Sequence, residues 1–303
     1  MSLRPVTDLR RATPTMEGAG VKLHRAFGFG EPELSDPFLL FDDFRNEHPQ
    51  DFAAGFPWHP HRGIETITYV LNGTVDHGDS LGNTGTLGAG DVQWMTAGSG
   101  ILHQEMPKGN AQGQMHGFQL WANLPGSLKM TAPRYQDVQD KEIPEIREDD
   151  GTRVKVIVGS FWGRTGPVDG IAADPQYLDI YVPPGVRKTF PVDTYRRAFA
   201  YIFEGSGAFA DASAPGGVLL EKEVMGEEVN IRDMSGDRTL VRFGTGDEGT
   251  VLAGEDGIRF LLISGAPIEE PVAWHGPIVM NTRAELMTAM AELRNGTFIR
   301  PAH

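Results

Sequence analysis

The chain of 303 residues carries 27 Lys and Arg against 41 Asp and Glu, and its formal charge of −14 disfavours direct binding to nucleic acid or anionic lipid. It contains no cysteine, which excludes disulfides, thiolate zinc sites, iron–sulfur clusters and a thiol nucleophile. With 38 glycines and 21 prolines beside 40% hydrophobic residues, the composition is that of a folded protein rich in turns.

Taken in chain order, the predicted elements form an all-β protein that ends in one short helix. Alternating runs bounded by Gly, Asn and Asp predict strands at residues 65–71, 74–78, 91–95, 117–121, 153–158, 177–182, 198–203, 239–243 and 258–263. Thr282 and Glu285 have the spacing of a capping box, and apolar residues on one face follow until Asn295 and Gly296. This pattern predicts a helix over residues 282–295.

The two halves of the chain repeat one another. Residues 67–73 (ITYVLNG) align with residues 199–205 (FAYIFEG), and residues 117–125 align with residues 259–267 at a similar offset. We therefore expect two tandem β-domains, at residues 1–140 and 150–303, with the helix in the second. The polar segment between them, residues 136–151, is predicted to be an exposed linker.

Histidines cluster in the first half, where two short motifs have metal-ligand spacing. His59 and His61 are two residues apart, and in a strand such residues share a face with Cα atoms about 6–7 Å apart. His103 and Glu105 form a second such pair after the glycine-rich segment 90–100, which lets the chain reverse beside the first strand. Three imidazoles and one carboxylate then face each other and predict a metal site.

Residue types alone leave parts of this site open. Nitrogen and oxygen ligands without sulfur suit Fe(II), Mn(II), Ni(II), Cu(II) or Zn(II) alike. Glu65 lies an even number of residues from His59 and His61, so in a continuous strand it would share their face and compete with Glu105 as the carboxylate ligand. We interpret it instead as a hydrogen-bond acceptor for an imidazole or for Arg62. The residues expected to line the pocket are Trp58, Trp94, Met95 and Trp121. His77 and His116 either line the pocket as well or lie in loops, and we favour loops.

No histidine lies between His116 and His275, so the second domain is expected to have no comparable metal site. His24, His48 and His303 are interpreted as ordinary surface or core histidines. No apolar run has the length of a signal peptide or a membrane span, and the absence of cysteine favours a reducing compartment. The expected location is the cytoplasm, with no membrane contact.

Residues 56–66 (FPWHPHRGIET), 90–98 (GDVQWMTAG) and 100–107 (GILHQEMP) resemble the pirin family of the cupin superfamily. The similarity extends through residues 36–44, 116–121 and 275–282. It implies two tandem cupin (jelly-roll) β-barrels, with Fe(II) in the first and no metal site in the second. Other divalent transition metals remain possible. The acidic segment 214–238 is longer than the family pattern, which puts the rim of the second barrel in doubt.

Carried over position by position, the resemblance implies that His59, His61, His103 and Glu105 are the metal ligands. It also implies a dioxygenase of the quercetin 2,3-dioxygenase type, with a flavonol or similar aromatic and O2 as substrates. Glu105 would accept the proton of the flavonol hydroxyl. The alternatives are a non-catalytic, iron-dependent co-regulator that binds a transcription factor or a metabolic enzyme, and a closed structural metal site.

Overall fold

The computed structural model of the protein describes residues 2–30, 32–209, 221–224, 227–230 and 235–300. His303 and part of the acidic segment 214–238 lie outside these residues. Within the described ranges, no helix is long and apolar enough to cross a membrane.

The chain forms 26 strands and two α-helices within these ranges. The strands of the first half are β1 Val6–Arg11, β2 Thr13–Glu17, β3 Val21–Phe27, β4 Phe38–Asp43, β5 Phe56–His61, β6 Ile64–Asn72, β7 Thr74–Asp79, β8 Thr84–Leu87, β9 Val92–Thr96, β10 Ile101–Lys108, β11 His116–Asn123, β12 Arg134–Val138 and β13 Glu145–Arg147. Those of the second half are β14 Arg153–Val158, β15 Ser160–Phe161, β16 Arg164–Thr165, β17 Gln176–Val182, β18 Arg187–Pro191, β19 Arg197–Phe209, β20 Glu221–Val224, β21 Glu227–Asn230, β22 Ser235–Gly236, β23 Thr239–Phe243, β24 Glu248–Gly265, β25 Ala273–His275 and β26 Ile278–Met280. The helices are α1 Pro32–Ser35 and α2 Arg283–Asn295.

Two antiparallel sheets form the first compact unit, the N-terminal barrel, which comprises Thr13–Ile143, Gly170–Ala173 and Pro267–His303. A seven-stranded sheet has the order β12-β9-β6-β11-β4-β3-β2, and a four-stranded sheet has the order β5-β10-β7-β8. The inner faces of the two sheets meet, because the hydroxyl of Thr68 on β6 donates to the carboxylate of Glu105 on β10 at 2.9 Å. This interior contains the candidate site.

The second unit, the C-terminal barrel, comprises Met1–Ala12, Pro144–Asp169 and Asp174–Ala266. Its main sheet has the order β1-β23-β19-β24-β17-β14-β13. In this sheet β19 lies beside β24, just as β6 lies beside β11 in the other barrel, and these are the strands that carry the sequence repeat. The predicted all-β class with one short terminal helix is confirmed.

The two ends of the chain pair differently from the division expected at residues 1–140 and 150–303. Strand β1 pairs with β23, for example through Leu9 and Val241, and so lies in the C-terminal barrel. Residues 267–300, including α2, lie in the N-terminal barrel, where α2 packs against β26. Within the segment 136–151, strands cover only residues 136–138 and 145–147, and most of its residues are exposed or half-buried. Local sequence patterns carry no signal for such long-range pairing.

The terminal helix begins and ends where the sequence predicts. The Thr282 side chain accepts a hydrogen bond from the backbone N–H of Glu285, and the Glu285 carboxylate accepts one from the backbone N–H of Thr282. Gly296 then ends the helix in the left-handed conformation, with a φ of 73°.

The interior of the C-terminal barrel is filled by apolar side chains. The Phe190 ring lies 6.3 Å from that of Phe243 and 5.8 Å from that of Phe260, between centroids, and buried valines, leucines and isoleucines surround them. The sequence of this barrel contains no histidine. A search for chemistry therefore leads to the N-terminal barrel.

Candidate metal centre

Antiparallel pairing of β5 and β10 brings the two predicted motifs together. His59 lies directly opposite His103, and His61 lies opposite Ile101, so all three histidines face the barrel interior. His61 and His103 are each only 1% exposed, while His59 lies nearer the cavity opening and is partly exposed. The register shifts between His103 and Glu105, which is paired with Phe56. The glycine-rich segment 90–100 leads the chain from β9 in the seven-stranded sheet to β10 in the four-stranded sheet, where β10 lies beside β5.

The three imidazoles form a compact group. Their ring centroids are separated by 4.9 Å between His59 and His61, 4.3 Å between His59 and His103, and 4.9 Å between His61 and His103. One ring nitrogen from each lies within 4.8 Å of the others, and the Nε2 atoms of His59 and His61 are 3.1 Å apart. Three nitrogens at these separations can bind one metal ion after small rotations of the rings.

Backbone carbonyls hold the outer nitrogens of two of these rings. Nδ1 of His59 lies 2.9 Å from the carbonyl oxygen of Pro57, and Nδ1 of His61 lies 3.2 Å from that of Pro277. Each Nδ1–H is thereby placed to donate to a carbonyl, which leaves the Nε2 lone pairs free to face each other. Metal-binding histidines in proteins are oriented in this way.

His103 provides the test of whether a metal fits. Both of its ring nitrogens are buried and make no hydrogen bond among the described residues. An unsatisfied buried nitrogen is costly, and a metal–nitrogen bond removes that cost. Burial lowers the pKa of His59 and lowers the pKa values of His61 and His103 well below the ordinary value, so all three are neutral near pH 7. Neutral imidazole is the form that binds metal.

Glu105 lies in the same cavity but outside the tight group of three nitrogens. One carboxylate oxygen accepts a hydrogen bond from Thr68, and burial raises the pKa of the carboxyl group to about 7. The other oxygen makes no hydrogen bond among the described residues. Its role as fourth ligand stays a prediction.

Glu65 faces away from this cavity. Thr66 and Thr68 on β6 point inward, so Glu65, one residue before Thr66, lies on the opposite face of the strand. There its carboxylate accepts a hydrogen bond from the Thr96 hydroxyl at 2.7 Å, and burial raises its pKa to about 7. The expectation that Glu65 accepts from an imidazole or from Arg62 is wrong, since Arg62 donates to other groups.

A glycine turn causes this change of face. Between β5 and β6, Gly63 has a φ of 76°, and the chain passes from the four-stranded to the seven-stranded sheet. Glu65 would share a face with His59 and His61 only if one continuous strand ran from His59 to Glu65, and this turn interrupts the strand. A Cβ atom at Gly63 would also collide with the carbonyl oxygen of Val279.

We expect Gly63→Ala to lower the free energy of unfolding by about 2–5 kcal/mol, because it adds left-handed backbone strain to this collision. Gly82→Ala is the matched control, since Gly82 also has a positive φ, 91°, but open space around it. Its expected cost is about 1 kcal/mol. Urea unfolding of both variants measures the difference, and equal costs would contradict the assigned turn.

The cavity beside the histidines has a volume of about 110 Å³ and adjoins a wider opening of about 360 Å³ that shares His59, Trp121 and Phe56. Trp121 lines both, with its ring 5.0 Å from that of His61. The expectation that Trp58 lines the pocket is wrong, because Trp58 lies on the face of β5 opposite to His59 and His61 and is 55% exposed. Trp94 and Met95 are fully buried and do not line the cavity.

Comparison with known proteins identifies the family. The family model described as Pirin matches residues 20–122, and the one described as Pirin C-terminal cupin domain matches residues 177–299. The chain is 43% identical over 301 residues to a pirin-like protein of Caulobacter vibrioides, an alignment that covers 98% of this chain and 100% of that protein. The chain belongs to the pirin family.

Two further similarities agree with this assignment to the pirins. Pirin of Homo sapiens is 39% identical over 283 residues, covering 92% of this chain and 88% of that protein. A crystal structure of quercetin 2,3-dioxygenase from Acinetobacter baumannii superposes with a TM-score of 0.83 at 30% identity, covering 98% of this chain and 99% of that one. The two barrels are therefore the two cupin domains of a pirin.

Several polar groups of this pirin's cavity escaped the sequence analysis. Thr68, Gln119, Arg25 and Asp42 line the cavity, yet they come from four different strands and form no local motif. His77 is a strand residue that is not among those lining the cavity. It lies on β7 directly opposite Glu105 and is buried, rather than lying in a loop, and His116 likewise begins a strand.

Proposed function

We propose that this pirin is a metal-dependent dioxygenase of the quercetin 2,3-dioxygenase type, with His59, His61, His103 and Glu105 as the ligands of Fe(II). The observation that carries the proposal is the group of three neutral imidazoles, two of them fully buried, with ligating nitrogens within 4.8 Å of one another, at a cavity that the carboxylate of Glu105 also lines. The named activity of the Acinetobacter baumannii relative, whose fold matches over nearly the whole chain, supports it.

The donor set suits iron in an open site. Imidazole and carboxylate ligands without sulfur are typical of non-haem Fe(II), and four protein ligands leave about two of six octahedral positions for other groups. A bound Fe(II) would supply a Lewis-acidic centre for the adjacent hydroxyl and carbonyl oxygens of a flavonol, and a partner for O2. In the overall reaction, O2 adds to the flavonol and the heterocyclic ring opens with loss of carbon monoxide.

Glu105 is the proposed base in this reaction. It faces the cavity, and a buried carboxylate beside the ligand site is a group that can accept a proton from a bound hydroxyl. One oxygen accepts a hydrogen bond from the Thr68 hydroxyl, and the other, the proposed ligand atom, would lean off the metal to accept the proton of the flavonol hydroxyl. Thr68 thus orients the base.

Apolar walls assist the binding of a flat aromatic molecule. Trp121, Phe56, Leu40 and Phe44 line the cavity and exclude water from the ring system of a ligand. The same walls strengthen hydrogen bonds between a ligand and the few polar groups beside them, because the local dielectric constant is low.

Oxygen consumption tests the proposal. The protein is purified without oxygen, loaded with iron, and mixed with quercetin and O2 in an oxygen electrode. We expect one O2 consumed per quercetin, carbon monoxide as a product, and no consumption with His59→Ala. No consumption by protein with full iron occupancy would contradict the proposal and favour a non-catalytic iron-dependent binding protein.

Metal binding should release a proton from Glu105. At pH 6 the carboxyl group, with a pKa of about 7, is mostly protonated in the metal-free protein, and it must ionise to bind Fe(II). His61 and His103 contribute no proton because burial holds their pKa values well below the ordinary value, and burial lowers the pKa of His59 as well, which reduces its share. We expect about one proton per ion at pH 6 and about 0.1 at pH 8, so that affinity rises with pH across this range.

Anaerobic calorimetry of Fe(II) binding, in buffers that differ in ionisation enthalpy, measures the proton count. Glu105→Gln should abolish the release at pH 6. Glu65→Gln should leave it intact, although Glu65 has the same raised pKa of about 7, because Glu65 lies outside the cavity. A release that is unchanged in Glu105→Gln would contradict the role of Glu105 as a ligand.

A further inference from the structure

A row of polar side chains crosses the inner face of the seven-stranded sheet. Thr68 on β6 is paired with Gln119 on β11, Gln119 with Asp42 on β4, and Asp42 with Arg25 on β3. Residues paired in this way lie on the same face of a sheet, and all four line the cavity. We call these four residues, together with Glu17 on β2, the polar row.

Hydrogen bonds join the polar row at both ends. At the metal end, the Thr68 hydroxyl lies 2.9 Å from Glu105 and 2.7 Å from the amide oxygen of Gln119. At the far end, Arg25 donates to both carboxylate oxygens of Asp42, at 2.8 and 2.7 Å, and lies 2.9 Å from a carboxylate oxygen of Glu17. The row therefore runs from the candidate metal centre to the cavity opening, where Glu17 is 39% exposed.

Apolar side chains flank the row on both sides. Leu40 and Trp121, which are paired across β4 and β11, lie on one side, and Leu23 and Phe44 lie on the other. A flat aromatic ligand can cover these apolar groups while its polar substituents meet the row. Because neighbouring strands are about 4.8 Å apart, Gln119 and Arg25 are separated by about 10 Å, so only an extended ligand spans the row.

The row has hydrogen-bonding capacity that the protein does not fill. Thr68 has one hydroxyl hydrogen, which can serve Glu105 or Gln119 but not both. Gln119 lines the cavity, and its amide group makes no hydrogen bond among the described residues except the one with Thr68. Polar groups in an apolar cavity gain from a ligand that satisfies them.

The charge of the far end favours one class of ligand group. One guanidinium, Arg25, faces two carboxylates, Asp42 and Glu17, so the cluster carries a net negative charge. A ligand carboxylate or phosphate would meet that negative charge. A neutral hydroxyl group, in contrast, can donate to a carboxylate oxygen and accept from the guanidinium.

We propose that the polar row selects flavonols that carry hydroxyl groups on the phenyl ring remote from the metal, with Glu17 and Asp42 accepting from those hydroxyls. Arg25 is a positioning residue, since it holds both carboxylates in place. This inference rests on the proposed function, because it assumes that the other end of the same ligand lies at the metal centre.

Three flavonols with the same chelating end test the inference by binding alone. Galangin, kaempferol and quercetin carry no, one and two hydroxyls on the remote ring. Dissociation constants are measured by anaerobic calorimetry on the Fe(II)-loaded full chain, without O2, so that no turnover is needed. We expect wild type to bind quercetin about 10- to 100-fold more tightly than galangin, as hydrogen bonds to charged groups allow.

The variants locate the source of this preference. Glu17→Ala removes a partly exposed carboxylate and should reduce the ratio of quercetin affinity to galangin affinity to less than about threefold, with the larger loss on quercetin. Asp42→Asn should reduce the ratio as well. Glu47→Ala is the matched control, since Glu47 is an exposed glutamate of the same barrel outside the cavity. The ratio of quercetin affinity to galangin affinity in this variant should equal that of wild type.

The outcomes separate the two proposals. If flavonols bind and the ratio survives in both Glu17→Ala and Asp42→Asn, the polar row does not select hydroxyls, and the proposed function is unaffected. If the ratio collapses in those variants but no oxygen is consumed with quercetin, the inference stands and the dioxygenase proposal fails. If none of the three flavonols binds to wild type, both are overturned.

Discussion

His103→Ala is expected to weaken Fe(II) binding by at least about 100-fold, since changes to groups behind a metal ligand already cost about 10- to 100-fold. The reason is that His103 is buried with its ring 4.3 Å and 4.9 Å from the other two imidazoles, and alanine provides no ligand atom in its place. Iron content after dialysis against a weak chelator measures the loss. We expect His59→Ala and His61→Ala to behave in the same way.

Thermal melting gives an independent measure of the same loss. A metal that binds only the folded state adds about 4 kcal/mol when its free concentration is a thousand times the Kd. The melting temperature of wild type should therefore rise with added Fe(II) under anaerobic conditions, while that of His103→Ala should not. His24→Ala serves as control, as does His303→Ala, although His303 lies outside the described residues. Equal iron content in all of these variants would refute the assigned site.

Glu105→Gln is expected to lower the turnover number by about 10²- to 10³-fold per bound iron, because glutamine cannot accept a proton. The substitution keeps the shape of the side chain and an oxygen that can still accept from Thr68. Expressing the rate per bound iron separates the loss of the base from any loss of metal. Oxygen consumption with saturating quercetin, together with iron analysis of the same sample, provides both numbers.

Glu65→Gln is a closely matched control for that experiment. Both glutamates are buried, both have a pKa raised by burial to about 7, and both accept a hydrogen bond from a threonine hydroxyl. They differ in the face of the sheet on which they lie. Turnover close to wild type is expected for Glu65→Gln, and a loss as large as that of Glu105→Gln would mean that the carboxylate at the reacting centre has been wrongly assigned.

Local patterns predicted the histidine group well. The alternation of residues in a strand places His59 and His61 on one face, and the glycine-rich segment before His103 permits the turn after which β10 pairs with β5 and His103 lies opposite His59. The capping box of α2 is equally local, since Thr282 and Glu285 are three residues apart. In each case the physical cause acts within a few residues, so the sequence alone contains it.

Other features depend on which distant strands pair, and the sequence could not reveal them. The even spacing of Glu65 from His59 and His61 predicts that all three share one face of a strand. The turn at Gly63 instead leads the chain into another sheet, so Glu65 faces away from the histidines. Trp58 is of a residue type that often lines pockets, but it lies on the outer face of β5. The polar row is the clearest case, because Arg25 and Thr68 come together only through the register of four strands.

Anomalous diffraction from crystals grown with Fe(II) tests the central claim most directly. The account predicts one peak at the iron absorption edge inside the N-terminal barrel, within about 2.0–2.2 Å of one nitrogen from each of His59, His61 and His103 and of one oxygen of Glu105. A peak bound elsewhere, or three imidazoles that remain without metal in crystals whose protein contains one iron per chain, would contradict it.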